Sequence, residues 1–424
     1  MFQELFRRPS GPAAQLGEEW VDSLDQLAPG EWAKVTEGCS LYLSYPYLSA
    51  VDQVGSTTSA YLTLRDQSGE LVAGLPTYRW EGSADPGLDH YEPFAAGAQW
   101  VLGRRARAAP WRPTLIAGTR SGYYTEFAVH PAWGGHREQV VASLLRSAAR
   151  RADHLGMASL GVMWLPSRAA REAATALTRP EYLILAGPNC AIDIEWDSLD
   201  GYLAQLSWSR RRSARRELEC FRESGLTVET AQLGSCLDEL APLAVALQRK
   251  YHHAVSTATV RDELAAQARR LDGASRVLLC RERGRLVGFA LFYSWEGTLY
   301  GRLAGFDYDR STASAAYFNL AFYLPLQLAL DERLGRLHLG MASWRTKVLR
   351  GAALDPAWTL ACPPNPVRGA WLRAVRAQGD GPSRWWAEQF PRQVNSPLDW
   401  RWTMAGLTGA EVRPATSGGA RGAA

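Results

Sequence analysis

Residues 59–78 read SAYLTLRDQSGELVAGLPTY, and residues 275–293 read SRVLLCRERGRLVGFALFY. Each is a pair of apolar, strand-like runs joined by a short charged turn with one glycine, Gly69 or Gly284, which is the pattern of a β-hairpin. Both hairpins have the same sequel. An aromatic-rich run follows, GYYTEFAVHP at 122–131 and LYGRLAGFDYD at 299–309, and each is expected to be a strand. Next comes an amphipathic helix, VVASLLRSAARRADHLG at 140–156 and YFNLAFYLPLQLALDERLG at 317–335, and then a short strand, MASLGVMWL or RLHLGMAS. In the second helix Phe318, Phe322, Leu326 and Ala329 recur at helical spacing, while Pro325 is expected to kink the helix or to mark its true start. Gly156 and Gly335 both suit a C-terminal cap. The offset from Gly156 to Gly335 equals that from Gly161 to Gly340, so helix and strand are expected to repeat without a gap.

A unit of hairpin, strand, helix and strand implies an α/β fold made of two tandem domains, each a mixed, twisted sheet with flanking helices. The chain of 424 residues is long enough for both. The expected division is 1–185 for the first domain and 186–365 for the second. Residues 366–407, rich in Trp and Arg (Trp371, Trp385, Trp386, Trp400, Trp402), are expected to form a helical extension, and 408–424 a disordered tail.

Composition narrows the class. The chain is 46% hydrophobic, enough for a large core, and its net charge of +4 excludes a histone-like, non-specific binder of nucleic acid. No apolar run reaches membrane-spanning length, which leads us to expect a cytoplasmic protein without a membrane span. The six cysteines lie far apart without paired histidines, so no metal site is expected. Lysine occurs only at Lys34, Lys250 and Lys347, every other basic side chain being arginine. A retained lysine points to a place where a compact ammonium does what a guanidinium cannot.

Four stretches carry a resemblance to a known superfamily: VDSLDQLAPGEWAKV with YLSYPYLSAV near the start, LSWSRRRSARRELECFRESGL at 206–226, AGFDYDRSTASAAYFNLAFYLPLQLAL at 304–330, and LHLGMASWRTKVLRGAALDPAW at 337–358. With the duplicated unit, they resemble the GNAT acyltransferase superfamily in its doubled form. That form includes the Fem-type aminoacyl-tRNA-dependent transferases and related natural-product acyltransferases. The resemblance implies an acyltransferase that forms an amide, or an ester, on a small-molecule acceptor in specialised metabolism or cell-wall synthesis.

The donor question turns on phosphate chemistry. CoA-using members of the fold present a glycine-rich loop at a helix N-terminus, reading roughly [QR]-x-x-G-x-[GA], whose N–H groups face the pyrophosphate. The first copy offers VHPAWGGHREQ, where Gly134 and Gly135 are adjacent and lack the spacing, and the second offers DYDRSTASAAYF, with no glycine. The expected donor is therefore an aminoacyl-tRNA acting as co-substrate, with no bound cofactor. A CoA thioester is the alternative donor, and a catalytically inactive binding protein of the same fold is a further one. Fem enzymes with a coiled-coil arm carry a charged helical hairpin in the second domain, whereas here the helix from Arg210 reaches Gly225, which favours a small acceptor.

The candidate residues follow. Arg210, Arg211, Arg212, Arg215 and Arg216 open a helix, with Arg211/Arg215 and Arg212/Arg216 stacked four apart, a fan suited to successive phosphates of a tRNA or to a diphosphate-bearing acceptor. The alternative is a solvated face paired with Glu217, Glu219 and Glu223. Lys347, with Arg345 and Arg350 beside it, resembles the basic residue that faces the reacting centre in Fem-type enzymes, where it would steady the oxyanion of the tetrahedral intermediate. The alternative is a surface charge in a turn. Tyr317 and Asn319 lie on the crossing helix, and Tyr323, six residues after Tyr317, cannot share its face. Asp307 and Asp309 could hold an acceptor ammonium or cap a turn. His252 and His253 supply a candidate general base.

Overall fold

The computed structural model describes residues 1–54, 59–81, 98, 101–108, 111–119, 122–250, 255–308, 314–390 and 400–408. The first copy runs β1 (Gly17–Val21), α1 (Pro29–Val35), α2 (Tyr45–Asp52), the hairpin β2 (Ser59–Arg65) and β3 (Leu71–Trp80), β4 (Thr114–Ala117), β5 (Ala128–Val129), α3 (Arg137–His154), β6 (Ser159–Pro166), α4 (Ser167–Ala176) and β7 (Leu183–Asp193). The second runs α5 (Leu199–Gln205), α6 (Trp208–Glu223), β8 (Thr227–Ala231), α7 (Leu237–Lys250), α8 (Thr257–Leu271), the hairpin β9 (Ser275–Glu282) and β10 (Arg285–Trp295), β11 (Thr298–Phe306), a π-helical turn (Asn319–Tyr323) into α9 (Leu324–Asp331), β12 (Arg336–Gly340), α10 (Trp344–Leu349) and β13 (Ala353–Cys362). Helices α11 (Asn365–Gln378) and α12 (Gly381–Gln389) follow.

All thirteen strands join one sheet in the order β1-β2-β3-β4-β6-β13-β7-β12-β11-β10-β9-β8, with β5 beside β3. In each copy the strand before the crossing helix runs parallel to the strand after it, β4 with β6 and β11 with β12, as a helical crossover requires. At the seam the copies exchange their last strands. β7, from the first copy, pairs with β12 of the second, while β13, from the second, pairs with β6 of the first. β7 and β13 then pair with each other, Ala353 opposite Ala191 through Leu360 opposite Leu183. Two halves thus share one hydrogen-bonded centre.

Both hairpins and both crossing helices form where the periodicity placed them. Pro325 has no N–H to donate, and a π-turn directly precedes it, the adjustment that lets the helix continue past a missing hydrogen bond. Two details differ. The stretch 122–131 is not the expected strand: β4 at 114–117 takes that place, and only Ala128 and Val129 pair, with Gly74 and Ala73 of β3. Gly118 and Gly122, both at φ 104°, turn the chain out of the sheet between them. Gly335 does not cap its helix in a left-handed conformation. Gly156 (φ 64°) matches Arg333 (φ 57°), each followed by an N–H that reaches back to an alanine carbonyl, Met157 to Ala152 and Leu334 to Ala329. The repeat is therefore in register two residues away from the Gly156–Gly335 match.

The core divides by sheet face. Leu299, Leu337 and Leu354 face α9 and the π-turn, packing with Phe322 and Leu326. Tyr300 and Tyr293 face the other way, towards α7, α8 and Tyr42. In the first half Trp32 of α1 lies over β3, where a Cβ on Gly74 would sit 2.4 Å from its ring, and its indole N–H donates to the Leu43 carbonyl at 2.9 Å. That bond fixes the segment of 38–44, which crosses the seam. In the C-terminal segment Trp371 and Trp402 are fully buried. The tail after Thr408 lies outside the described residues, and no described helix is long and apolar enough to cross a membrane.

Fragments 1–197 and 198–424 are expected to aggregate when made singly, because each leaves strand edges bare, and to form a soluble complex when co-expressed. Size-exclusion chromatography reads the outcome; a soluble, monomeric 1–197 would show that β6 and β7 do not need β13.

Candidate active site

Strand alternation sets β13, β7, β12 and β11 side by side with Asp355 and Ala357, Asn189 and Ala191, Arg336 and His338, and Thr298 and Tyr300 all lining one cavity. The cavity measures about 430 Å³. Gly38–Ser40 and residues Tyr124 and Glu126 line it from the first half. A second lobe, also about 430 Å³, shares the walls Gly38, Cys39, Tyr124, Glu126, Pro166 and Arg168 and extends to His130, Gly134, Arg137 and Glu172. Together they form a cleft over the seam where the strands are exchanged.

Glu126 belongs to both lobes. Its Oε2 accepts the Ser40 backbone N–H at 2.8 Å. Burial raises its pKa above the usual carboxylate range, opposed by the Ser40 bond and by the more distant Arg137 and Arg168. In the second lobe Arg137 donates to Glu172 at 2.6 Å and to the Phe127 carbonyl at 2.8 Å, and Arg168 reaches the same Glu172 oxygen at 3.2 Å. In the first lobe Arg336 bridges Asp193 at 2.8 Å and Asp355 at 3.1 Å, and Arg401 adds a bond to Asp355 at 2.9 Å. These charges are paired, whereas no cation forms an ion pair with Glu126 among the described residues and its close help comes from Ser40. The wall thiols are not nucleophiles: burial pushes Cys39 up to about 12 and Cys190 up to about 11, so neither supplies thiolate near neutrality.

His338 is 4% exposed and neither ring nitrogen has a hydrogen-bond partner. Burial, then Arg336 and Lys347, push its pKa down to about 3, so the ring is neutral. Rings of Tyr300, Tyr124 and Tyr42 surround it at 5.2, 5.6 and 6.2 Å between centroids.

The residues singled out from sequence lie elsewhere. Lys347 does not line the cleft: its ammonium is buried and donates to the carbonyls of Leu339 and, at 3.1 Å, Gly340, at the end of β12. Burial pushes it down to about 8. Arg350 is also buried, paired through two nitrogens with Glu217 and stacked 3.6 Å over Phe318, and Tyr323 donates to the same carboxylate. Asn319 donates to the carbonyls of Glu217 and Ala315, and Tyr317 packs on Phe306, Phe318 and Phe322. This cluster packs on the α9 face of β12, away from the cavity, because Leu337 and His338 point to opposite faces. Asp307 receives Arg285 at 3.5 Å and does not line the cleft. Arg210 and Arg211 bond the carbonyls of Val348, Ala204 and Leu206, whereas Arg212, Arg215 and Arg216 are exposed, as is Arg345, which stacks on Trp344. His252, His253 and Asp309 lie outside the described residues. The lining residues Glu126 and His338 went unmarked in the sequence. Their signal was a lone carboxylate inside an aromatic run and a lone imidazole inside an apolar strand.

Residues 23–362 match the model of the FemAB-like family, described as peptidoglycan biosynthesis/recognition. Among solved structures, FemX is similar with a TM-score of 0.51 and 10% identity, over 80% of this chain and 96% of that one. A conserved protein of unknown function from Bacteroides thetaiotaomicron gives 0.50 and 12%, over 82% and 99%. A tandem GNAT protein from the clavulanic acid biosynthesis pathway gives 0.45 and 13%, over 82% and 99%. No curated protein matches the sequence. The fold is the doubled α/β arrangement that the repeat implied, and FemX shares it.

Because buried Lys347 holds two backbone carbonyls, Lys347→Ala is expected to cost about 1–3 kcal/mol of stability. A fall in Tm, read by calorimetry, is the expected outcome; an unchanged Tm would return Lys347 to a purely functional position.

Proposed function

The chain belongs to the FemAB-like family, whose model describes peptidoglycan biosynthesis/recognition, and we propose that it moves an aminoacyl group from aminoacyl-tRNA to the amine of a small molecule, in the cleft over the seam. The observation that carries this reading is Glu126, a half-buried carboxylate with raised pKa at the junction of two lobes. An amine entering one lobe meets an acyl carbonyl entering the other beside a base tuned towards neutrality. Nitrogen bonds the acyl carbon, the carbon–oxygen bond to the carrier breaks, and Glu126 takes the proton the amine loses and passes it to the leaving oxygen, ending as the carboxylate it began as. An ester carbonyl is already activated, so orientation and proton removal suffice without a covalent intermediate.

Two features support tRNA as donor. On α6, Arg212, Arg215 and Arg216 are exposed beside Trp208, itself 72% exposed, with Arg212 5.5 Å over its ring. Exposed cations around an exposed aromatic suit phosphates and a stacked base. In the first copy, the gap where β4 leaves β6 is filled by the chain itself. Thr125 N–H donates to the Trp164 carbonyl at 3.0 Å and Tyr123 packs edge-on to Trp164, so a pantetheine arm finds that strand edge taken. The CoA alternative keeps one supporting feature, open space beside Gly134 and Gly135 where the loop enters α3 near the second lobe. A small acceptor, a specialised metabolite or a cell-wall precursor, suits the cavity size, and α6 ends at Glu223 and turns through Gly225 into β8 rather than extending into an arm.

Glu126→Gln is expected to lower kcat by about 10²–10⁴-fold. In the wild type the rate rises with pH as Glu126 ionises above the usual carboxylate range; the variant lacks that limb. Since folding raises the Glu126 pKa, the unfolded carboxyl ionises first and stability falls from the ordinary carboxylate pKa up to the raised one, so Glu126→Gln also melts higher near neutrality and equally at low pH. A variant that turns over normally removes Glu126 from the reaction. For the donor, Arg215→Glu with Arg216→Glu is expected to weaken tRNA binding and reduce its salt dependence by about two phosphate contacts. Stabilisation by CoA and not by aminoacylated tRNA in a thermal-shift comparison would favour the alternative.

A further inference from the structure

We propose that His338 is the oxyanion donor of this site, its neutral imidazole N–H meeting the acyl oxygen as the tetrahedral intermediate forms. The inference rests on the transfer reading above. It begins with an unmet need: His338 lines the cavity, is 4% exposed, and has two ring nitrogens without partners. A neutral imidazole carries one donor and one acceptor, and buried polar groups are almost always satisfied. No described residue partners these nitrogens beside the rings of Tyr42, Tyr124 and Tyr300, and the cavity that His338 lines is the space from which we take their partner to come.

The charged groups around it keep the ring a donor rather than an acid. Arg336 precedes it on the same face of β12, Lys347 approaches from α10, and Asp355 on β13 is engaged by Arg336 and Arg401. Glu126 lies across the cavity on the segment from the first half. An N–H that holds its proton polarises a carbonyl without surrendering it, which is the use enzymes make of a neutral histidine beside a developing oxyanion. Lys347, the residue the sequence offered for this task, is held by the carbonyls of Leu339 and Gly340, the two residues after His338. It is a positioning residue that fixes the strand end carrying the imidazole. In the step, the amine nitrogen bonds the carbonyl carbon and the π pair moves onto oxygen, where the His338 N–H receives it. The pair returns as the bond to the carrier breaks, and Glu126 carries the amine proton to the leaving oxygen, so His338 begins and ends neutral.

The test compares His338→Phe and His338→Gln with wild type, using a pool of aminoacylated tRNA as donor and hydroxylamine as acceptor, and acetyl-CoA as a parallel donor. His338→Phe keeps the ring volume without nitrogen and is expected to lose about 10²–10³-fold in kcat with KM little changed. His338→Gln keeps an N–H donor, is expected to recover most of that loss, and retains the wild-type pH limb. Equal turnover of His338→Phe and wild type, a loss confined to KM, or a vanished pH limb in His338→Gln each overturns the proposal. Transfer from acetyl-CoA alone sinks the tRNA reading and leaves the His338 comparison intact with that donor. Should His338→Phe fail to fold, the glutamine variant and the ¹⁵N-imidazole spectrum of the wild type decide: a ring neutral between about pH 5 and pH 8 is expected, and a protonated one overturns it.

Discussion

The exchange of β7 and β13 is the constraint from which the rest follows. Each copy ends with a strand whose backbone groups have no partner within that copy, and each finds one beside the other copy's β6 or β12. Buried N–H and C=O groups that stay unpaired are costly, so the ladder from Ala353 opposite Ala191 to Leu360 opposite Leu183 makes the centre of the sheet common property. A cleft built over that centre draws its residues from both copies. Residues 38–40 and 122–131 reach it from the first, and β11 and β12 from the second. Such a cleft is as rigid as the sheet beneath it, which is the condition for preorganised electrostatics.

Two kinds of buried ionisable group mark the two faces of the seam. On the α9 face, Arg350, Glu217 and Tyr323 satisfy one another, with Asn319 tying the helix backbone to the same place. That arrangement holds α6 against the π-turn and leaves nothing for a ligand. On the cleft face, half-buried Glu126 and buried His338 have no equivalent partners. Low dielectric makes the same burial stabilising where every group is paired and reactive where it is not. The two faces part at strand alternation, since Leu337 and His338 are neighbours that point to opposite sides of β12.

Much of the architecture was legible because it is local. A hairpin needs a turn residue between two apolar runs, and a crossing helix needs a stripe at helical spacing; SAYLTLRDQSGELVAGLPTY and VVASLLRSAARRADHLG carry both within their own length. The misread parts failed for identifiable reasons. GYYTEFAVHP has strand composition, but Gly118 and Gly122 lift it out of the sheet, and its aromatics fill a gap instead of pairing. Gly335 has the right residue type for a cap, yet Arg333 takes the left-handed position because the helix ends two residues earlier. Lys347 and Arg350 stand in a basic cluster in sequence and point inward in space, which no local pattern reveals.

The amino-acid sequence by itself determined the repeat, the α/β class, the order of hairpin, strand, helix and strand, and a solvent-facing arginine row on α6, since each depends on spacing within one element. Only the tertiary structure decided which copy each last strand joins, and hence where the cleft lies and that Glu126 and His338 line it together. Those two residues are more than two hundred positions apart. Their meeting depends on strand pairing across the seam, a long-range choice made by backbone hydrogen bonds that carry no side-chain signature.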